Sequence, residues 1–250
     1  MNLSFKEFER FCIDLTSRIN SLLKPFPSLQ KFSTKEDGTP VTEEDQKIEK
    51  YYRAEIHKAF PEHAISGEEF DDFNTNSDYQ WIVDPIDGTF SYISGVPLFG
   101  SLIGLMYKEE VKYGFLYMPY YSNSYLSGDG KNCLLNGKPV FPKTSFAWEN
   151  SLILTTDTER LYSSPRKSLW QYCLKRGSIS RTWGDCFGYF LLCTGKADMM
   201  IDIELKDVDI LPLYPILEAA GIQLEVENTK DGKINLVAMT KAMNSAITKS

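Results

Sequence analysis

The sequence predicts a mixed α+β and α/β fold: an antiparallel-rich α+β lobe over residues 1–140, then an α/β lobe over residues 141–250, packed as one compact unit. Three observations carry this expectation. The chain opens with helix, loop and helix. From His63 it changes to short apolar runs separated by hairpin signals, and after Asn150 strand-like and helix-like segments alternate. The join falls somewhere in residues 135–150.

Each element has a local reason. Ser4 and Glu7 form a capping-box pattern around Phe5, Phe8, Phe11, Cys12, Leu15, Ile19 and Leu22, which paint one helical face, with Pro25 and Pro27 as the stop. Thr42 caps a second helix carrying Ile48, Tyr51, Tyr52, Ile56 and Phe60 as far as Pro61. Glu43, Glu44 and Asp45 lie in its first turn, where the helix dipole favours acids. One apolar run closes at Gly67 and another spans 79–83. An antiparallel series follows over 99–107, 111–118 and 123–126, with turn signals at 108–110 and Asn136-Gly137. Beyond Asn150 come a strand at 151–155, a helix near 165–176 stopped by Gly177 and a helix near 185–194 stopped by Gly195. A strand at 197–202, a helix near 209–220, two short strands and a C-terminal helix complete the chain. No internal repeat is apparent.

Composition narrows the function classes. The 250 residues are 42% apolar and 13% aromatic, which suits a globular enzyme-sized body rather than a disordered chain. Lys6, Glu7, Glu9 and Arg10 interrupt the first apolar stretch, so neither a signal peptide nor a membrane span is expected and a cytoplasmic protein is. Cys12, Cys133, Cys173, Cys186 and Cys193 are odd in number and lack zinc spacing, which fits a reducing compartment. Two histidines, His57 and His63, are too few for His-rich metal sites or triads. A net charge of -7 disfavours nucleic acid as a partner.

The most informative stretch is residues 81–89, WIVDPIDGT. An apolar strand-like segment ends at two carboxylates, a proline that bends the chain outward, a glycine and a threonine. A plain turn needs neither two aspartates nor a hydroxyl directly after the glycine. Gly88 and Thr89 suit an anion, but Asp84 and Asp87 would repel a phosphate unless divalent cations lay between them. Metal and phosphate readings therefore require each other. Gly67-Glu68-Glu69 closes the preceding run, so if the two strands are neighbours Glu68 approaches Asp84 and Asp87. Hard oxygen ligands of this kind suit Mg²⁺ or Mn²⁺. Residues 35–45, KEDGTPVTEED, read by spacing alone as a polar loop with a helix cap.

Taken together, these pieces resemble the inositol monophosphatase family of metal-dependent phosphatases. The likeness rests on VTEED with the QKIEK helix, GEE at Gly67, WIVDPIDGT with FSYISGVP, GDCFGYFLLCTGKAD from Gly184 and the D-x5-P-x2-E-x2-G pattern from Asp209. It spans nearly the whole chain in the family's order. The resemblance implies a layered αβαβα sandwich of the inositol monophosphatase and fructose-bisphosphatase type, two or three Mg²⁺ ions with Mn²⁺ able to substitute, and a homodimer. By carry-over, Glu68, Asp84 and the carbonyl of Ile86 bind one metal, Asp84, Asp87 and Asp209 a second, and Glu68 reaches a third. Asp45, Glu68 and Thr89 would be catalytic, Asp45 and Thr89 positioning and deprotonating a water. Asp87 and the amides of Gly88 and Thr89 would hold phosphate. Asp209 by its local pattern reads only as a helix N-cap. The chain departs from the family pattern at Val208, Leu211, Pro212 and Ile222.

The substrate expected is a small phosphorylated polyol or amino alcohol. The segment RTWGDCFGY, residues 181–189, looks like the histidinol-phosphatase version, and Asp185 and Asp202 are the candidate substrate contacts. Two acids suit inositol monophosphate or histidinol phosphate. Fructose 1,6-bisphosphate or a 3'(2'),5'-bisphosphate nucleotide calls for additional basic side chains. A haloacid-dehalogenase-like phosphatase would need D-x-D-x-T, whereas two residues separate Asp84 from Asp87. A catalytically silent binding module fits poorly with all five carboxylates and Thr89 in place.

Overall fold

The computed structural model describes residues 3–24, 31–35, 38–74 and 76–249. The first helix, α1 (Phe5–Thr16), starts on the expected capping box between Ser4 and Glu7. The apolar stripe does not run unbroken to Leu22. The chain turns at Ser17 and Arg18, and a separate short helix, α2 (Ile19–Leu22), follows. Thr16 and Ser17 hydroxyls bond back to the carbonyls of Cys12 and Asp14, a competition with the helix ladder that favours termination. The expected stops, Pro25 and Pro27, lie outside the described residues. Residues 35–45 are more than a loop: β1 (Phe32–Thr34) and β2 (Pro40–Thr42) pair antiparallel and deliver the chain into α3 (Glu43–Ala59). Glu36 and Asp37, between these strands, lie outside the described residues.

Next come β3 (Ala64–Gly67), β4 (Tyr79–Asp87), α4 (Thr89–Ile93), β5 (Gly100–Tyr107), β6 (Glu110–Met118), β7 (Ser124–Gly128), β8 (Cys133–Leu135) and β9 (Lys138–Pro139). Among the described residues they form one seven-stranded sheet in chain order, parallel at β3–β4 and antiparallel elsewhere. Lys108 and Glu109 both take positive φ in the β5–β6 turn, as do Asn136 and Gly137 between β8 and β9, the geometry that matches hairpin twist. The second half contributes β10 (Leu152–Thr155), α5 (Thr158–Ser163), α6 (Lys167–Lys175), β11 (Ile179–Arg181), α7 (Asp185–Cys193), β12 (Met199–Leu205), α8 (Asp207–Ile210), α9 (Tyr214–Ala220), β13 (Gln223–Asn228), β14 (Ile234–Met239) and α10 (Lys241–Thr248). Its sheet has the order β11-β10-β12-β14-β13.

Strand alternation builds the layers. One face of the first sheet, with Trp81, Val83, Ile103 and Phe115, packs on Phe8, Cys12 and Leu15 of α1 and Ile48, Tyr52 and Ile56 of α3. The opposite face, with Leu102, Leu116 and Leu126, packs on α7 and α9, whose far side receives Leu154, Met200, Leu236 and Ala238 of the second sheet. The outer face of that sheet, with Ile153, Met199, Ile201 and Val237, is covered by Leu161, Trp170, Cys173 and Met243 from α5, α6 and α10. The result is the αβαβα sandwich.

The middle helices sit unusually low on the first sheet. Gly104, Gly114 and Gly128 pair with one another across β5, β6 and β7. A Cβ at Gly114 would come within 1.9 Å of the Pro212 carbonyl oxygen, and one at Gly128 within 2.5 Å of the Ile216 Cα. This glycine rail seats Pro212 and α9. The helix expected over 209–220 is in fact divided into α8, a 3-10 turn at Leu211–Leu213 and α9. Pro212, a departure from the family pattern, provides the break, since a proline forfeits a helical hydrogen bond.

Candidate active site

The two apolar runs form neighbouring strands. Gly67 of β3 pairs with Val83 of β4 in parallel, which carries Glu68 and Asp84 out beside each other. Gly67 is required there by close approach: a Cβ would lie 2.2 Å from Glu49 Oε1, and Glu49 Oε2 accepts the Glu69 N–H at 2.8 Å. The strand does not end at Asp84. It continues to Asp87 through a bulge, Asp84 opposing Leu102 while Asp87 opposes Gly100. Pro85 lies inside that bulge, where the ladder is already interrupted and a missing donor costs little. The extra residue turns Asp84 and Asp87 toward the same side. One oxygen from each of Asp84, Asp87 and Asp209 lies within 4.8 Å of the others, a set that could hold a metal ion. Glu68 is outside this trio, and its Oε1 accepts from Lys35 Nζ at 2.9 Å and Lys206 Nζ at 3.3 Å.

Several buried acids crowd this corner. Burial first, then Glu68, Asp87, Asp209 and Asp45, push Asp84 well above the usual carboxylate range. Asp87 is raised well above it by burial and by Asp185 and Asp209, against the opposing N–H of Cys186 at the start of α7. Burial and Glu68 push Asp209 up to about 7, although the Lys206 N–H bonds its Oδ2 at 2.8 Å. Carboxylates crowded this closely favour a compensating cation. Asp209 is the third residue of α8 and Lys206 its cap, so Asp209 is not the N-cap its local pattern suggested.

Asp45 lies in the first turn of α3 and faces Thr89. Its Oδ2 closes the α3 capping box with the Thr42 N–H at 2.7 Å and the Thr42 hydroxyl at 2.5 Å. Its Oδ1 faces Thr89 Oγ1 at 3.5 Å. Burial raises it to about 6 against the pull of Thr42. Thr89 Oγ1 also donates to the Ile86 carbonyl at 3.0 Å, and Ile86 N–H returns a bond to Asp84. Gly88 precedes α4 at φ 90°, a conformation glycine adopts freely.

From the other side, α7 brings Asp185 against Gly88, its Oδ2 lying 3.1 Å from where a Gly88 Cβ would stand. The N-cap position of α7 is filled by Gly184, so Asp185 is not spent as a cap. It is held at φ 49° with its N–H on Thr156 Oγ1 at 2.8 Å. Burial, Asp202 and Asp209 raise it to about 7. Asp202 is buried, and its two oxygens accept from Tyr189 Oη at 2.9 Å and Thr156 N–H at 3.3 Å.

All these acids except Asp45 line one cavity of about 490 Å³, roofed by residues from both halves of the chain. Arg160, Lys206 and Lys233 line it too. Sequence spacing gave no hint of these three cations, since the fold alone brings Arg160 on α5, Lys206 just after β12 and Lys233 just before β14 to one cavity. Arg160 and Lys233 both pair with Glu204, at 4.0 and 3.5 Å. Thr156 was equally unannounced, although its hydroxyl accepts the Asp185 N–H and its own N–H bonds Asp202. His63 is a packing residue, stacked on Phe60 and Tyr79 and accepting the Trp81 N–H at 3.1 Å.

A layered αβαβα sandwich with an acid cluster at the root of a β-bulge defines a class of small-molecule phosphatases. The chain belongs to the inositol monophosphatase family, whose pattern matches residues 9–243. A histidinol-phosphatase of Chlorobaculum parvum is 37% identical over 196 residues, 78% of this chain and 74% of that one. A fructose-1,6-bisphosphatase/inositol-1-monophosphatase of Aquifex aeolicus is 28% identical, covering 90% of this chain and 88% of its own. A solved inositol monophosphatase of Zymomonas mobilis superposes with a TM-score of 0.77 at 26% identity, covering 95% of this chain and 94% of that one. The protein is accordingly a phosphatase. Among the described residues no helix is long and apolar enough to cross a membrane.

Proposed function

We propose that this enzyme hydrolyses a small phosphate monoester with Mg²⁺ as cofactor, and that its substrate is an amino-alcohol phosphate of the histidinol phosphate type. The observation that carries the substrate reading is the carboxylate of Asp185, which faces the cavity and accepts no hydrogen bond among the described residues. An ammonium or imidazolium group is a fitting partner for it. Asp202 supports that end from beneath, its oxygens tied to Tyr189 and Thr156. The 37% identity to a named histidinol-phosphatase supports the same reading.

The donor set of Asp84, Asp87 and Asp209 fits a hard divalent cation, with Glu68 and the Ile86 carbonyl as further oxygens. Such a cation supplies Lewis acidity and neutralises charge on the transferring phosphoryl group. The chain's own residues do the rest. In this reading Thr89 Oγ1 and Asp45 Oδ1, 3.5 Å apart, both contact the attacking water and Asp45 accepts its proton. The Gly88 and Thr89 amides orient the phosphate, and Asp87 keeps its place through Cys186. Residues 1–140 thus carry the hydrolytic machinery, while residues 141–250 add Asp209 and the groups that select the substrate.

A polyol phosphate is the second reading, favoured by the Thr156, Thr158 and Thr182 side chains around the same cavity. Mg²⁺-dependent phosphate release is compared for histidinol phosphate, inositol 1-phosphate and fructose 1,6-bisphosphate. Histidinol phosphate is expected to show the highest kcat/KM, and Asp185→Asn to lower it about tenfold or more while sparing inositol 1-phosphate. A higher kcat/KM for inositol 1-phosphate, unaffected by the substitution, refutes the amino-alcohol reading.

A further inference from the structure

The active-site cavity has a neighbour. A second cavity of about 520 Å³ lies against it, and Asp157, Arg160, Ile203 and Glu204 line both. These four residues are therefore the wall between the two spaces. Beyond the wall the lining includes the neutral polar side chains of Ser163, Thr229 and Asn235.

Arg160 is the bar of that wall. Its Nε lies between two carboxylates, 3.5 Å from Asp157 Oδ2 and 4.0 Å from Glu204 Oε2. Asp157 is fixed in turn, because its Oδ1 caps α5 through the N–H groups of Glu159 and Arg160. Glu204 is braced from β14 and the turn before it. Lys233 Nζ pairs with the same Oε2 at 3.5 Å, and the Glu204 N–H bonds Asn235 Oδ1 at 3.1 Å. Glu204 sits where β12 shifts register against β14, between Asp202 and Leu205, and holds φ 63°, a left-handed conformation unfavourable for a residue with a side chain. Such a conformation persists where the surroundings hold it in place, and here it places the carboxylate that meets Arg160. Arg160 stands at the Asp202 end of the active-site cavity, close enough for its charge to oppose the effect of burial on that carboxyl.

We propose that Arg160, braced by Glu204, is a specificity-determining residue: it closes the substrate end of the active-site cavity and excludes phosphate monoesters whose alcohol is long enough to enter the second cavity, such as nucleoside 5'-monophosphates. The inference rests on the reading of the first cavity as the site of monoester hydrolysis and adds a limit on substrate length. It does not depend on the preference for an amino alcohol.

The test measures Mg²⁺-dependent phosphate release by the full chain. The short probe is whichever of histidinol phosphate and inositol 1-phosphate the wild type hydrolyses faster, and the long probe is adenosine 5'-monophosphate. The readout is the ratio of their kcat/KM values, long over short. Arg160→Ala is expected to raise it about tenfold or more, the scale on which one pocket contact separates two substrates. A merely structural role would lower both values together and leave the ratio in place. Arg160→Lys keeps a long cationic side chain at the wall and holds the ratio within about threefold of the wild type. Glu204→Gly removes the brace at a position whose φ suits glycine, raises the ratio in the same direction and serves should Arg160→Ala not fold. Lys206→Met removes a cation of the first cavity that pairs with Glu68 instead, and leaves the ratio within about threefold. An unchanged or lowered ratio in whichever of Arg160→Ala and Glu204→Gly folds, with the short probe still hydrolysed, overturns the inference and leaves the phosphatase reading standing. An equal rise in Lys206→Met overturns it too, because loss of positive charge then explains the effect. So does a wild type that hydrolyses the long probe as well as the short one, since no wall is then at work. A wild type that releases phosphate from none of the three removes the reading of the cavity and the inference with it.

Discussion

Gly114→Ala adds one methyl group at the centre of the glycine rail and should damage both stability and catalysis. The new Cβ would lie 1.9 Å from the Pro212 carbonyl oxygen and 3.3 Å from Ile216 Cγ1. A relaxed C···O contact needs roughly 3.3 Å, so roughly 1.4 Å of separation must be found. The obstacle is backbone, with no rotamer to swing aside, so the cost belongs at the upper end of overpacking, about 3 kcal/mol. Replacing a strand glycine returns about 0.5–1 kcal/mol of chain entropy, leaving a loss of about 2 kcal/mol. For a chain of this size that lowers Tm by about 4–8 °C. Pro212 follows Asp209 by three residues on the same short turn, so lifting it moves the Asp209 carboxylate away from Asp84 and Asp87. A displacement of about 1 Å is worth up to about 10²-fold in turnover. Thermal unfolding and Mg²⁺-dependent phosphate release measure the two effects. A variant with wild-type Tm and wild-type turnover would show that the middle helices are not seated on the rail as described.

Thr42→Ala removes the hydroxyl that pins Asp45 Oδ2 and should cost about 1 kcal/mol of stability. Because the Thr42 bonds oppose the effect of burial, losing one moves Asp45 further above about 6 and shifts the acid limb of the pH–rate profile upward, with Thr42→Ser restoring it; an unmoved limb in the alanine variant counts against Asp45 as the base. Stability should also depend on pH. Asp185 and Asp209 are raised from 3.8 to about 7 in the fold, so stabilisation by their protonation is full below about 4 and is lost as pH rises through 7. In EDTA the protein is expected to be more stable at pH 5 than at pH 8, each of the two raised acids contributing on the order of 2–3 kcal/mol. Saturating Mg²⁺ at pH 8 should recover about 2–3 kcal/mol near 100 times its Kd. Denaturant unfolding that is flat or rises from pH 5 to 8 without cation would contradict the crowded-acid description.

Much of the fold could be read locally because its elements declare themselves locally. The capping boxes at Ser4 and Thr42 depend on residues three apart, and the Asn136-Gly137 turn on a dipeptide. The break between α1 and α2 was not legible, since an apolar stripe carries no record of hydroxyls bonding back at Thr16 and Ser17. The β1–β2 pair escaped notice because its strands are three residues each and rich in polar groups. At the candidate site, WIVDPIDGT announced two acids and the Gly67-Glu68 run a third.

What the sequence determined by itself is the reaction class: a short motif of acids, glycine and threonine whose local geometry is set by β4, its bulge and the turn into α4. The tertiary structure decided the rest. The approach of Asp209, the facing of Asp185 toward Gly88 and the meeting of Lys35 with Lys206 on one oxygen of Glu68 all join residues from different halves of the chain. Such contacts depend on how closely two layers pack, and here that distance is set by three glycines that leave room for a proline backbone.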